Sequence, residues 1–377
     1  MPEPLAPVAI GPAWLAAIDD AARILLGPHD RTGAALSTEV ARLSELYTRD
    51  RGALRTQAAA LGARLRFFLP RDLPKIEGPL CELAWASVLP RGPRWRVLDL
   101  GAGLGASTLG IASFARRAGI EGLDVLAVER EPRAIDVLRH LAARTGRGAL
   151  AADTVPVALE SRELDLERID VRALGSEFSF AVLGLSLNEL WTDAPDRLDR
   201  RAELLRRLTS VLAPDGALVV IEPALAASAR DLQRVRDRAV ALGLHVVAPC
   251  THAAPCPMLA AERHWCHEDL DLALPEPLRS IARGAGLRWE GLTYAALVLR
   301  REPAAGGGHR IVGGPIETKG RTEWHACGEG GLVRIARLTR HRGADPLEGA
   351  RRGSRVRLPP DAGASVRTDR AAIERLR

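Results

Sequence analysis

Hydrophobic and polar positions repeat with one period before Trp95 and with another after it. Residues 12–70 place apolar side chains at helical spacing, as in AWLAAIDDAARILLG, and contain no strand-like run. From Trp95 onward, short continuous apolar runs alternate with segments of helical period. Buried strands that alternate with helices predict a mostly parallel sheet with helices on both faces. The pattern therefore predicts an N-terminal helical region followed by an α/β domain.

Individual elements can be assigned within the α/β pattern. Strands are predicted in the runs WRVLDL, LDVLAVERE, FSFAVLGLSLNEL, ALVVIEPAL and LHVVAP, and helices over residues 106–118, 197–212 and 226–242. A late run, YAALVLRRE at residues 294–302, is expected to be the strand that closes the sheet. Ahead of the first strand, the proline-rich segment 67–92 is expected to be a linker that leads into a short helix.

The pattern changes again after the glycine-rich loop PAAGGGHR. Short apolar stretches separated by glycine turns predict a small β domain there, and the terminal stretch is expected to be a mobile tail with a helical end. The expected organisation is an N-terminal helical region at 1–70, an α/β domain at 71–302 that contains a cysteine-rich loop at 246–267, a small β domain at 303–350 and a basic tail at 351–377.

Length and composition limit the classes of protein to consider. At 377 residues the chain is too long for one ordinary core. Its apolar runs are much shorter than the roughly 20 residues that a membrane span needs. The N-terminal stretch carries acidic side chains where a targeting peptide would be basic. We expect a cytoplasmic protein that does not enter a membrane.

Positive charge is concentrated at the C-terminus. Residues 303–377 hold 15 basic against 8 acidic side chains, a net charge of +7, whereas residues 1–302 have a net charge of −1. Of the 53 basic residues, 51 are arginine, and only Lys75 and Lys319 are lysine. Two interpretations of the terminal charge stay open: a solvated tail, or an arm that contacts phosphates and gains affinity by releasing counterions.

A glycine-rich motif follows the first predicted strand. Asp99, Gly101, Gly103 and Gly105 recur at every second position where a strand turns into a helix, so backbone N–H groups can face a ligand at close range. The spacing resembles motif I of the class I S-adenosylmethionine-dependent methyltransferases, which implies a Rossmann-like domain of that class. A tight turn with nothing bound and a nicotinamide cofactor site are the alternatives, although the latter would favour G-x-G-x-x-G.

Two further residues are candidates for the same site. Glu129 ends the second predicted strand, where these methyltransferases place an acid on the ribose hydroxyls of the cofactor, and a carboxylate can accept both hydrogen bonds of that diol. Asn188 lies at the carboxyl end of a later strand, where ligands bind in such sheets. It could face the cofactor methyl group or a base, or it could cap the next helix.

Three of the five cysteines lie within the loop VVAPCTHAAPCPMLAAERHWCH at residues 246–267. Cys250, Cys256 and Cys266 are followed by Cys327 some sixty residues later, while Cys81 stands alone in a predicted helix. Because disulfides are rare in cytosolic proteins, four thiolates suggest soft metal ligands. Zinc would accept four such ligands, but zinc sites usually contain a C-x2–4-C pair, whereas an iron–sulfur cluster tolerates distant ligands. Ordinary packing of four thiols is the alternative, and His252, His264 and His267 are expected to support the site rather than ligate.

The cysteine motifs carry a family resemblance. APCTHAAPCPM and HWCH, downstream of LDLGAG, LNEL and ALVVIEP, resemble the Rsm22 family of methyltransferase-like assembly factors of the mitochondrial small ribosomal subunit and their bacterial relatives. The resemblance spans about residues 71–338. It implies a [4Fe-4S] cluster held by Cys250, Cys256, Cys266 and Cys327, and a small β domain that contacts ribosomal RNA. Thr251 and Glu268 depart from the family pattern, which leaves the ligands in place but changes the packing around them.

The resemblance leaves three functions open. The first is a small-subunit assembly factor that binds ribosomal RNA and S-adenosylmethionine, with the cluster fastening the small β domain to the α/β domain. The second is an active S-adenosylmethionine-dependent ribosomal RNA methyltransferase, although the sequence identifies no catalytic base. The third is an RNA-binding protein that zinc stabilises or that senses oxidation through its cluster. In each case the expected partner is the small ribosomal subunit with its RNA, and the protein is expected to be a monomer away from the ribosome.

Overall fold

The computed structural model describes residues 10–49, 60–287, 291–304, 307–340, 345–360 and 362–376. The N-terminal region is helical, as predicted. It comprises α1 (Pro12–Leu26), a 3₁₀ turn (Gly27–His29), α2 (Gly33–Arg49), α3 (Leu61–Ala63), a π-helical turn (Arg64–Phe68), α4 (Leu69–Asp72), a second 3₁₀ turn (Leu73–Ile76) and α5 (Glu77–Trp85).

The segment that was expected to be a linker is helical as far as Trp85. Pro70 and Pro74 lie where one continuous helical run changes type, from π to α and from α to 3₁₀, since proline has no N–H to donate to the preceding turn. Leu73 and Ile76 are fully buried, so this part of the chain is core rather than connection. The prolines therefore mark where successive helical segments begin.

Among its described residues, the α/β domain has eight strands and, after the N-terminal helices, five helices. In chain order they are β1 (Arg94–Leu100), α6 (Ala106–Arg117), β2 (Gly122–Glu129), α7 (Pro132–Ala142), β3 (Val157–Glu163), β4 (Phe178–Gly184), α8 (Arg197–Thr209), β5 (Leu212–Glu222), α9 (Ala226–Ala241), β6 (His245–Ala248), β7 (Glu268–Leu270), α10 (Glu276–Gly284) and β8 (Leu292–Arg300). The strand predicted to continue through LNEL ends at Gly184, and residues 187–189 form a 3₁₀ turn.

The strands of this domain form one mixed sheet in the order β3-β2-β1-β4-β5-β8-β6, with β7 paired to β8. Strands β1 to β5 are parallel, and β8 runs antiparallel to both β5 and β6. The late strand thus lies inside the sheet, not at the edge where a closing strand was expected. Its side chains are apolar and buried on both faces, as an interior strand requires.

Helices cover both faces of the sheet. One face packs against α8 and α9, and the other packs against α5, α6 and α7. The N-terminal helices form a further layer, in which Trp14 and Leu61 share a core with Leu109 of α6 and Val137 of α7. This layer therefore lies over the helices that begin at the carboxyl edge of β1 and β2.

A second sheet contains the C-terminal strands in the order β14-β12-β11-β9-β13-β15, with β10 paired to β11. Its strands are β9 (His309–Ile311), β10 (Ile316–Thr318), β11 (Arg321–Gly328), β12 (Gly331–Leu338), β13 (Arg355–Arg357), β14 (Ser365–Arg367) and β15 (Glu374–Arg375).

The terminal segment differs from the mobile, helix-ending tail that was predicted. Residues 351–376, apart from Asp361, are described, and they contribute three short strands to the second sheet. Val356 and Val366 are buried in the core of that sheet, which explains why the segment is ordered against it. The prediction of a separate basic tail failed because strands of two or three residues leave no readable period in the sequence.

Candidate functional site

The glycine motif forms the turn between β1 and α6. Gly101, Gly103 and Gly105 all have positive φ, at 70°, 54° and 93°, a region that favours glycine. A Cβ atom on Gly101 would lie 2.6 Å from the Cβ of Ser186, and one on Gly105 would lie 2.3 Å from Leu138 Cδ1. The loop therefore needs glycine for its backbone conformation and for close packing, and it directs the N-terminus of α6 toward the carboxyl edge of the sheet.

Asp99 lies at the carboxyl end of β1 and is almost fully buried. Its Oδ2 accepts a hydrogen bond of 2.6 Å from the hydroxyl of Thr108, whereas Oδ1 has no hydrogen-bond partner in the described part of the chain. Burial raises the pKa of Asp99 to about 6, although the hydrogen bonds with Thr108 oppose the rise. The site thus holds a buried acceptor atom that a ligand could use.

Glu129 ends β2 and faces the glycine loop. Its Oε2 accepts a 2.8 Å hydrogen bond from the backbone N–H of Gly103, while Oε1 accepts from the N–H groups of Arg130 and Glu131 at 2.8 and 3.0 Å. The carboxylate is therefore fixed beside the loop. Oε1 thus already accepts two hydrogen bonds, whereas Oε2 accepts one and keeps a lone pair that can accept a hydroxyl group of a ribose.

Asn188 lies in the 3₁₀ turn after β4. Its backbone N–H donates to Glu222 Oε1 at 3.0 Å, and its carbonyl accepts from the buried guanidinium of Arg201 at 2.8 Å. The side chain is buried, and its Oδ1 has no partner within the described residues. Asn188 does not cap the next helix, whose N-cap is Asp196, and its position facing a ligand stays a prediction.

The N-terminal layer adds residues that the sequence did not single out. Arg64 forms a 2.5 Å ion pair with Glu131, and its Nη2 would lie 3.9 Å from a Cβ on Gly103. Lys75 and Asp72 are both buried and form an ion pair of 2.9 Å. These contacts bring the segment 64–75 over the glycine loop. One sequence signal could have revealed part of this arrangement: Lys75 is one of only two lysines in a chain that otherwise uses arginine.

The four predicted ligand cysteines line one cavity. Cys250 follows β6, Cys256 precedes a 3₁₀ turn, Cys266 precedes β7, and Cys327 lies on β11 of the second sheet. The cavity that their side chains share has a volume of about 40 Å³. Cys81 lies on α5 and does not line this cavity. The structure therefore brings together four thiols from two separate sheets.

Helix α9 holds the cysteine loop through charged side chains. Arg236 donates to the carbonyls of His252 and Ala254, the latter at 2.6 Å, and Asp237 accepts from the backbone N–H of Cys256 at 3.1 Å. Arg230 donates to the carbonyl of His264 at 2.6 Å. These bonds satisfy carbonyl groups of an irregular loop, so the position of the cysteines depends on α9 and not only on their own backbone.

Burial raises the pKa of each thiol around the cavity, to about 11 for Cys256 and about 12 for Cys327. Metal binding would require thiolates, and the guanidinium of Arg236, which lowers the pKa of Cys250 in part, favours that charged form. Within the ranges that the structure describes, no three His, Cys, Asp or Glu side chains are grouped closely enough to hold a metal ion. Four thiols are the donor type that an iron–sulfur cluster takes, and such a cluster is wider than a single ion.

The three histidines of the loop differ in their surroundings. His252 Nε2 lies 3.5 Å from the sulfur of Cys327, His264 is exposed, and His267 is half-buried with Nε2 3.7 Å from Asp269. Of the three, His252 is the one with a polar contact to a cavity thiol, while His267 lines the cavity; their supporting role stays a prediction.

A buried network of ion pairs joins the two sheets beside this cavity. Arg310 of β9 pairs with Glu82 of α5 and with Glu268 of β7, both at 2.7 Å. Arg355 of β13 pairs with the same Glu82 at 3.0 Å, and its guanidinium lies 4.3 Å from the ring centroid of Trp85. Charges of both signs are therefore matched at the interface, as burial of an ion requires.

The strand order, with β8 antiparallel between β5 and β6, and the glycine loop after β1 define a class I S-adenosylmethionine-dependent methyltransferase fold, as the sequence motif indicated. The particular family follows from the sequence of the larger part of the chain. The family described as mitochondrial small ribosomal subunit Rsm22 matches residues 87–354, so the chain belongs to the Rsm22 family.

Similar solved structures are distant. Magnesium protoporphyrin IX methyltransferase (ChlM) from Synechocystis PCC 6803 is 14% identical, covers 72% of this chain and 100% of its own, and has a TM-score of 0.35. The rRNA methyltransferase aviRa from Streptomyces viridochromogenes is 18% identical, with coverage of 41% and 74% and a TM-score of 0.29. TrmN from Thermus thermophilus is 16% identical, with coverage of 62% and 53% and a TM-score of 0.33. No curated protein matches the chain.

Within the described residues, no helix combines the length and the apolar character that a bilayer crossing requires.

Proposed function

We propose that the chain is an assembly factor that binds the small ribosomal subunit through its RNA, with S-adenosylmethionine at the glycine loop and a [4Fe-4S] cluster held by Cys250, Cys256, Cys266 and Cys327. The convergence of these four thiols on one cavity carries the proposal, together with the family, whose description names the mitochondrial small ribosomal subunit. We further propose that it acts in the cytoplasm and is a monomer away from the ribosome.

The cluster would serve as a structural cross-link in this proposal. Three of its ligands would come from the loop of the α/β domain and the fourth from the small β domain, which we propose extends from residue 303 to the C-terminus. When bound, the cluster supplies covalent iron–thiolate bonds between the two domains. Arg236 would offset the negative charge that four thiolates bring into the cavity.

Metal analysis of anaerobically purified protein tests the cluster directly. We expect about four irons per chain and the absorption of an iron–sulfur cluster in the wild type. Cys327→Ser should lose both, whereas Cys81→Ser, which changes the cysteine that lies away from the cavity, should retain them. One zinc per chain would favour the zinc-stabilised alternative, and unchanged iron in Cys327→Ser would remove that residue from the site.

Exposed arginines of the small β domain are proposed to contact phosphates. Arg340, Arg351 and Arg370 are exposed and pair with no carboxylate in the described part of the chain, unlike Arg352, which pairs with Asp269. If each of the three contacts one phosphate, the logarithm of the binding constant for the small subunit should fall more steeply with the logarithm of the salt concentration than it does in a variant with all three changed to glutamine. The two slopes should differ by about 2 to 3. Equal slopes for the two proteins would refute this surface.

Methyl transfer to ribosomal RNA is the second candidate function. The buried Lys75, Asp72 and Glu222 favour it, because they place ionisable groups beside the carboxyl edge where a methyl acceptor would lie. Transfer of labelled methyl from S-adenosylmethionine to small-subunit RNA tests it. Cofactor binding without any transfer would favour the assembly role, and transfer that Asp99→Ala abolishes would favour the enzyme.

A further inference from the structure

The buried side chain of Lys75 has one carboxylate close to its ammonium group. The residue is 6% exposed, and Asp72 Oδ1, at 2.9 Å, is the one acceptor for the ammonium among the residues that the structure describes. An ammonium has three N–H donors, and a buried donor without an acceptor is costly. Two donors of Lys75 are therefore available to a ligand.

The position of Lys75 is fixed by a close helix crossing. A Cβ on Gly110 of α6 would lie 2.4 Å from the carbonyl oxygen of Leu73, so this 3₁₀ turn contacts α6 directly. Burial lowers the pKa of Lys75, and the nearby carboxylates of Asp72 and Glu222 act in the opposite direction. Glu222 ends β5 and accepts from the N–H of Asn188, so Lys75 lies near the carboxyl ends of the central strands.

The same edge of the sheet carries buried acceptors without donors. Asp99 Oδ1 at the end of β1 and Asn188 Oδ1 after β4 have no partners within the described ranges. Strands β1 and β4 are neighbours in the sheet. A ligand that satisfies both kinds of group must present acceptors to Lys75 and donors to Asp99 and Asn188. The α-carboxylate and α-ammonium of an amino acid have this combination.

We propose that Lys75 binds the α-carboxylate of the amino-acid end of the cofactor, so that the N-terminal helical layer completes the cofactor site. The inference rests on the proposed binding of S-adenosylmethionine and goes beyond it, because the glycine loop, Glu129 and Asn188 do not account for a buried cation. The alternative is that Lys75 and Asp72 form an ion pair that only docks the N-terminal layer on α6.

The choice of lysine at this position fits a compact ligand group. The chain has 51 arginines and two lysines, and the second lysine, Lys319, lies exposed in the turn between β10 and β11. An ammonium directs its donors tetrahedrally from one atom, so it can contact Asp72 and a carboxylate together, whereas a guanidinium is a larger planar fork. Lys319 also provides a matched control of the same residue type.

Calorimetry with two ligands separates the alternatives. S-Adenosylhomocysteine contains the amino-acid end, whereas 5′-methylthioadenosine shares the adenosine and lacks it. Lys75→Met should weaken S-adenosylhomocysteine roughly 10- to 100-fold, the loss of one hydrogen bond between charged groups, and should leave methylthioadenosine within about twofold. Lys319→Met should change neither affinity.

Each other result overturns the inference. Equal weakening of both ligands by Lys75→Met indicates a structural role, and unchanged binding of S-adenosylhomocysteine excludes the contact. If Lys75→Met does not fold, the affinities of the wild type for S-adenosylhomocysteine and for its decarboxylated analogue provide the test. Equal affinity for the two ligands would refute the proposal. Failure of the wild type to bind either nucleoside would instead refute the proposed cofactor function, and with it the premise of this inference.

Discussion

Asp99 should make the stability of the unliganded protein depend on pH in a way that asparagine would not. The pKa of this carboxyl is about 6 in the folded protein because of burial, against 3.8 without it. Between these values the folded state binds a proton that the unfolded chain has released, so stability falls as pH rises toward 6 and is level above it. At 1.36 kcal/mol per pH unit, the ionised carboxylate costs about 3 kcal/mol.

Asp99→Asn removes this cost because the amide does not ionise, while the amide oxygen can still accept from Thr108. Relative to the wild type, the variant should therefore gain about 2.5 kcal/mol between pH 4 and pH 8, because about 0.5 kcal/mol of the cost is already present at pH 4. Urea denaturation of both proteins across this range measures the difference, in which all other titrating groups cancel. Asp153→Asn, which makes the same replacement at an exposed carboxylate, is the matched control.

A flat difference for Asp99→Asn would refute the reasoning, since it would mean that water or an ion stabilises the carboxylate inside the fold. The ionisation of Asp99 also predicts how the affinity for the cofactor depends on pH. If the carboxylate receives the ammonium of the cofactor, affinity should rise as pH rises through about 6, because the acceptor becomes charged. Asp99→Asn should bind the cofactor more weakly than the wild type at pH 8, and its affinity should not depend on pH in this range.

Three further changes test the loop, the interface and the cysteine site. Gly105→Ala should cost about 1–2 kcal/mol of folding free energy, because an L-residue at its positive φ is strained, with a further cost from contact with Leu138, and urea denaturation measures the sum. Glu82→Gln should cost about 3–5 kcal/mol and speed proteolysis of the second sheet, because Arg310 loses a buried counter-charge; an unchanged proteolysis rate would contradict this. Arg236→Met should increase hydrogen exchange in the cysteine loop, and unchanged exchange would show that α9 does not hold it.

The sequence predicted those elements whose signals are local. The run WRVLDL followed by glycines at every second position identifies a buried strand and its turn, because positive φ and close packing leave little choice of residue. Helices α6, α8 and α9 begin at the predicted residues, since their apolar positions recur with helical period. The four cysteines could be grouped by their thiol chemistry and by the family resemblance but not by spacing, because Cys327 lies on another sheet.

Non-local arrangements could not be predicted. Strand β3, VALESRE, alternates in exposure at the edge of the sheet and carries charged residues, so it lacks the continuous apolar run of the other strands. The place of β8 between β5 and β6 depends on pairing partners that are distant in sequence. Likewise, nothing near Lys75 in the sequence indicates that its helical segment crosses α6 at Gly110, which is what brings the lysine to the carboxyl edge.

The buried ion pairs between the two sheets also have a consequence for synthesis, because their residues lie far apart in the sequence. Glu82 is made long before Arg310 and Arg355, its partners in the finished fold, which follow 228 and 273 residues later. A nascent chain that has folded the first sheet therefore lacks these two counter-charges until the last strands leave the ribosome. A fragment that ends after β8 would be a permanently arrested version of that intermediate, and its acidic surface would be open to any basic molecule that reached it first.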